Sequence, residues 1–148
     1  YFLPDYEDPL LIRKYVSDQS DYEKLMEVFE EKEEGKPLFL FNVTMQNHSS
    51  YTESFDNFQP DIAVEGSSSQ ALNNYLSLLK ISDQALEELI HRLEAEEEDT
   101  VLVFFGDHQT TNSVMEPILK LNGTTHSALT EEEMSALVQG SLLYLGKL

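Results

Sequence analysis

Cysteine is absent from this chain. That excludes thiol nucleophiles, disulfides and thiolate zinc sites, and it is the usage common in bacterial extracytoplasmic domains. Basic residues are scarce. Nine Lys and Arg stand against 28 Asp and Glu, a formal net charge of −19, which argues against nucleic acid or an anionic membrane surface as a direct partner. No apolar run approaches the roughly 20 residues that span a bilayer, so nothing reads as a transmembrane helix. No signal peptide is visible, and the chain opens Tyr1-Phe-Leu-Pro4 without an initiating methionine, the start expected of a processed or excised piece. There are no internal repeats, no glycine-rich phosphate loop and no Ser–His–Asp spacing.

What is present fits one domain spanning residues 1–148. A hydrophobic fraction of 41% with 10% aromatics excludes wholesale disorder, and the length suffices for a single core. Acidic residues gather at Glu30-Glu31, Glu33-Glu34, Glu94 to Asp99 and Glu131 to Glu133. These read as solvated helix faces and ends that support solubility, and they raise the local concentration of divalent cations.

The stretch Val101-Leu-Val-Phe-Phe-Gly-Asp-His108 organises the rest. Five apolar residues without polar alternation predict a strand buried on both faces, as in a parallel sheet. Residues 1 to 19, with Pro4 and Pro9, read as an irregular entry segment. Ser20-Asp-Tyr-Glu23 has the form of a capping box and predicts a helix that stops at Gly35. Leu38-Phe-Leu-Phe-Asn-Val-Thr-Met45 predicts a second buried strand. From Gln46 to about Gln70 the chain is polar and aperiodic, and loops of that length are usually functional or disordered.

Residues 71 to 96 predict the longest helix, with a stripe of Leu72, Leu76, Leu79, Asp83, Leu86, Ile90 and Leu93. Asp83 on that stripe implies a buried, bonded carboxylate, or a helix cap at Ser82 or Asp83. His91, between glutamates, reads as a surface residue. Strand, helix and the strand at 101–105 make a βαβ unit with a right-handed crossover. After a short segment from Val114 to Leu121 comes a second capping box, Thr130-Glu-Glu-Glu133, heading a helix to about Gln139. The last apolar run, Ser141 to Leu145, reads as another strand. The fold class is therefore α/β, a mostly parallel sheet flanked by helices.

In open α/β sheets ligands gather at the carboxyl ends of strands, which places Asp107 and His108 there. A carboxylate beside an imidazole suits a divalent metal such as manganese or zinc; the same two residues also read as a turn cap and an ordinary loop histidine. His48 leaves the carboxyl end of the strand at 38–45, on the same edge if the strands run parallel, or is a loop histidine bonded to backbone. Asn42, Asn47 and Asn122 head glycosylation triplets, a pattern too common to carry weight.

Three stretches together are more specific than any of these: Phe39-Leu-Phe-Asn-Val-Thr-Met-Gln-Asn-His48 with Tyr51, Tyr75-Leu-Ser-Leu-Leu-Lys-Ile-Ser-Asp83, and Val103-Phe-Phe-Gly-Asp-His-Gln109. In order and spacing, over roughly residues 13 to 110, the chain resembles the C-terminal half of the sulfatase-like domain of lipoteichoic acid synthases and related bacterial phosphoglycerol transferases, of the alkaline phosphatase superfamily. The resemblance implies a partial alkaline phosphatase/sulfatase-like fold. It implies a divalent metal, Mn2+ or Mg2+ rather than Zn2+, on Asp107 and His108, and a substrate contact for His48. The implied reaction moves glycerol phosphate from phosphatidylglycerol through a threonine intermediate to a growing chain or glycan, on the extracytoplasmic face of a bacterial, Gram-positive membrane. The family's nucleophile, its acidic metal ligand and its membrane helices correspond to nothing in this sequence, so no catalytic nucleophile is assigned and the chain alone is expected to be inactive. Two other functions stay open: a sulfatase or phosphodiesterase using water as acceptor, and a non-catalytic module binding a glycan or a protein. An exposed sheet edge could also support a dimer.

Overall fold

A computed structural model describes residues 5–139 and 143–147, with side chains described as far as residue 135. Its axis is a long helix. In chain order the elements are a small hairpin of β1 (Leu11–Ile12) and β2 (Tyr15–Val16), α1 (Asp18–Glu30), α2 (Gln70–Glu94), β3 (Val101–Phe105), α3 (Asn112–Leu121), a 3-10 turn (His126–Ala128), α4 (Glu131–Gln139) and β4 (Leu143–Lys147).

α2 begins where Ser69 accepts a hydrogen bond from the Leu72 amide, 3.2 Å away, and it runs without a break through Ser82 and Asp83. Its N-terminal half carries Ala71, Leu72 and Leu78 into a core with Ile12, Tyr51, Phe58 and Val114. Its C-terminal half packs Ala85, Leu89 and Leu93 against Tyr22 and Met26 of α1. One helix thus joins two apolar clusters, holding the hairpin, the 46–70 loop and α3 at one end and α1 at the other.

The buried face is rotated from the predicted stripe. Leu72 and Leu93 are buried as expected, but Leu78 is buried while Leu79 is exposed. Asp83 is exposed too, so it is neither a buried carboxylate nor a cap. The polar group turned inward at this level is the half-buried Ser82, one residue earlier. His91 is on the surface as expected.

α1 starts three residues before the predicted capping box. Ser17 is the cap, accepting from the Ser20 amide at 3.1 Å. The Ser20 hydroxyl is used elsewhere, accepting from the Leu10 amide at 2.9 Å, which ties the hairpin to the helix. The second box is present as predicted. Glu133 accepts from the amide and the hydroxyl of Thr130, at 2.8 and 2.9 Å, while the Glu133 amide donates back to that hydroxyl at 3.2 Å.

The sheet is where expectation and structure part. β3 pairs antiparallel with β4, Val103 opposite Leu145, and β1 with β2 is also antiparallel. The parallel sheet is not seen among the described residues. Residues 38–45 form no strand, and Leu38, Phe39, Phe41, Val43 and Met45 are exposed, Phe39 at 86%. β3 itself is mostly exposed, not buried on both faces. Apolar, β-prone residues make a run suitable for a sheet, but a strand is a property of pairing, and the 38–45 run has no ladder partner here. With that strand absent, the βαβ unit is not formed. The last predicted strand appears at 143–147; residues 141 and 142 lie outside the described residues.

Candidate functional site

β3 ends at Phe105, and Gly106, Asp107 and His108 follow it directly into solvent. Asp107 Oδ1 accepts from the amide of the next residue, His108, at 2.9 Å. Its other oxygen lies 3.5 Å from His108 Nε2, with both side chains more than 70% exposed. His108 Nδ1 is 2.8 Å from the Gln109 carbonyl. A carbonyl can only accept, so Nδ1 is the donor to Gln109, and the ring turns its Nε2 toward the Asp107 carboxylate. One imidazole nitrogen and one carboxylate oxygen therefore converge on the same space. Two residues on in the chain, the Thr110 hydroxyl is buried and unpartnered among the described residues.

His48 sits apart, on the loop after the 38–45 segment. Its Nδ1 is 2.9 Å from the Ser49 carbonyl and 3.2 Å from the Tyr15 hydroxyl, and its ring leans on that of Tyr15 with centroids 5.7 Å apart. The same carbonyl argument leaves Nε2 of this exposed residue open to solvent. The bonds of His48 run to the hairpin and to its own loop, not to Asp107 or His108. The structure thus joins two of the three sequence-derived residues and supports the third separately. Among the described residues, no group of three or more His, Asp and Glu could hold a metal ion.

Two features were not foreseen. One is Arg13, in the segment read as irregular, which is buried and reaches the His48 loop. Its only signal was the basic pair Arg13-Lys14 between Leu11-Ile12 and Tyr15-Val16. The other is a polar core around Asp18. Ser82 donates to its carboxylate, Gln46 Oε1 accepts from its amide at 3.0 Å, and Gln46 and Asn47 both donate to the Ser82 hydroxyl, at 2.9 and 2.7 Å. Burial pushes the Asp18 carboxyl up from its ordinary value, against the opposing bonds from Ser82 and Thr44. Residues 46 and 47 are thereby anchored to α1 and α2, one residue before His48.

The sulfatase family model matches residues 2–133. The chain belongs to the sulfatase family. That is a family of enzymes, and the match is consistent with the alkaline phosphatase superfamily and its α/β fold. Over 98 residues this sulfatase-family chain is 32% identical to a protein of Rhizobium meliloti named "Putative cyclic beta-1,2-glucan modification protein". The aligned stretch is 64% of the chain and 15% of that relative, so the chain spans a small part of its length. No solved structure matches significantly.

Proposed function

We propose that this sulfatase-family chain carries the Asp–His metal pair and one substrate contact of a phosphoglycerol transferase, which moves glycerol phosphate from phosphatidylglycerol to a glycan at the extracytoplasmic face of a bacterial membrane. The observation that carries the reading is the pairing at the end of β3. His108 Nδ1 is held at the Gln109 carbonyl and its Nε2 lies 3.5 Å from an Asp107 oxygen. That donor pair suits manganese or magnesium carried in an oxygen-rich site with one imidazole. A cation held there would neutralise charge on the phosphoryl oxygens.

The chain's own residues supply the rest. Asp107 bonds to the His108 amide and His108 to the Gln109 carbonyl. His48 Nε2 accepts from a glycerol hydroxyl when neutral and donates to a phosphoryl oxygen when protonated. In this reading the nucleophile is not among residues 1–148, so the isolated chain turns nothing over. The glycan acceptor is supported by the relative, whose name speaks of glucan modification. A second reading, hydrolysis of a sulfate or phosphate ester by water, is favoured by the family model itself, which is that of sulfatases.

An assay of the natural polypeptide containing this stretch separates the two. Supplied with phosphatidylglycerol and a cyclic glucan, it is expected to release diacylglycerol and charge the glucan, and Asp107→Ala is expected to abolish both. Turnover of a sulfate ester with no glucan charging would replace the transferase reading by the hydrolase one.

A further inference from the structure

Resting on the reading of His48 as a substrate contact, we propose that Arg13 is its positioning residue. Arg13 is the first residue of the two-residue loop between β1 and β2. Its φ is +58°, a left-handed conformation that is unfavourable for a non-glycine residue. Only 6% of it is exposed. Its guanidinium lies between the rings of Tyr15 and Tyr51, 5.4 and 5.7 Å from their centroids, and Asn57 holds the loop from outside by donating to the Leu11 and Arg13 carbonyls at 3.0 Å each.

From there the guanidinium donates at 2.7 Å to three carbonyls of one short stretch: Nη2 to Gln46 and His48, Nη1 to Ser50. The carbonyls between and after them are met by other side chains. The Tyr51 hydroxyl donates to Asn47 at 2.6 Å, the Tyr15 hydroxyl to Ser49 at 3.3 Å, and the Asn74 amide to Tyr51 at 2.7 Å. Six successive carbonyls, 46 to 51, are thus satisfied by side chains where a strand or helix would use backbone. Half of them depend on one residue.

The arrangement fixes the chemistry of the imidazole as well as its place. With the 46–50 backbone clamped, the Ser49 carbonyl faces His48 Nδ1 and holds its proton there, leaving Nε2 as the open nitrogen. Free neutral imidazole side chains prefer the other tautomer. Lysine cannot replace the clamp, because an ammonium has no planar fork to span alternate carbonyls.

The test is long-range 1H–15N NMR of the His48 ring in the wild-type chain, Arg13→Lys and Arg13→Gly, with glycerol 1-phosphate added in a second step. Arg13→Gly relieves the left-handed backbone while deleting the clamp, so it keeps a folded comparison if Arg13→Lys does not fold; circular dichroism checks both. Wild type is expected to show Nδ1–H as the major neutral tautomer. Both variants are expected to shift toward Nε2–H with unchanged helicity, and the glycerol phosphate response of His48 is expected to weaken by up to about a hundredfold. An unchanged tautomer in folded variants, or Nε2–H already dominant in wild type, overturns the proposal. A tautomer shift without any response to glycerol phosphate in wild type upholds the clamp and removes the substrate role of His48.

Discussion

Asp18 shows how single residues set the balance here. Its carboxyl is buried and pushed up from its ordinary value, so between that value and the raised one the folded state binds more protons than the unfolded state. Stability then falls as pH rises through this window and is recovered as pH falls back through it. Asp18→Asn is expected to flatten this part of the pH–stability curve relative to wild type, as read by denaturant midpoints from about pH 4 upward. A curve parallel to wild type would show that Asp18 does not titrate differently on folding. Ser82 is the partner to remove next. It donates to Asp18 and accepts from Gln46 and Asn47, and an uncompensated buried polar group costs about 1–3 kcal/mol. Ser82→Ala is expected to lose about that much in chemical denaturation, and a loss within error of zero would mean that water replaces the hydroxyl.

At the level of elements, the sequence was most informative where a signal is local. The Thr130–Glu133 box closes on itself within one turn, and α2 follows from a long apolar period bounded by Ser69, so both were legible. The α1 start was not, because Ser17 and Ser20 are both competent caps and contacts with Leu10 and Gln46 decide between them. The register of the α2 face failed for a related reason: leucines at 72, 76, 78, 79, 86, 89 and 93 allow more than one stripe, and the partners choose. Leu78→Ala is expected to cost about 2–5 kcal/mol, against less than about 1 kcal/mol for the exposed Leu79→Ala. Thermal melts of the two compare them directly, and equal losses would return the face to the stripe the sequence suggested. Of the site, Asp107 and His108 were legible as adjacent residues after a strand. Arg13 was not, since what makes it matter is a loop over thirty positions away in sequence.

Across the whole molecule, two features bear on function. The apolar run 38–45 and β3 both face solvent, although their composition predicts strands buried in a parallel sheet, which the described residues do not form. No helix among the described residues is long and apolar enough to cross a membrane. What the chain does present is a charge of −19 around an exposed carboxylate–imidazole pair, and the account stands on that pair being selective for a metal rather than one more acidic spot. Manganese titration followed by paramagnetic broadening of amide and imidazole signals tests this most directly. The resonances of Asp107 and His108 are expected to broaden first, ahead of those at Glu96 to Asp99 and Glu131 to Glu133, and Asp107→Asn is expected to remove that preference. Broadening spread evenly over the acidic runs, and untouched by Asp107→Asn, would contradict it.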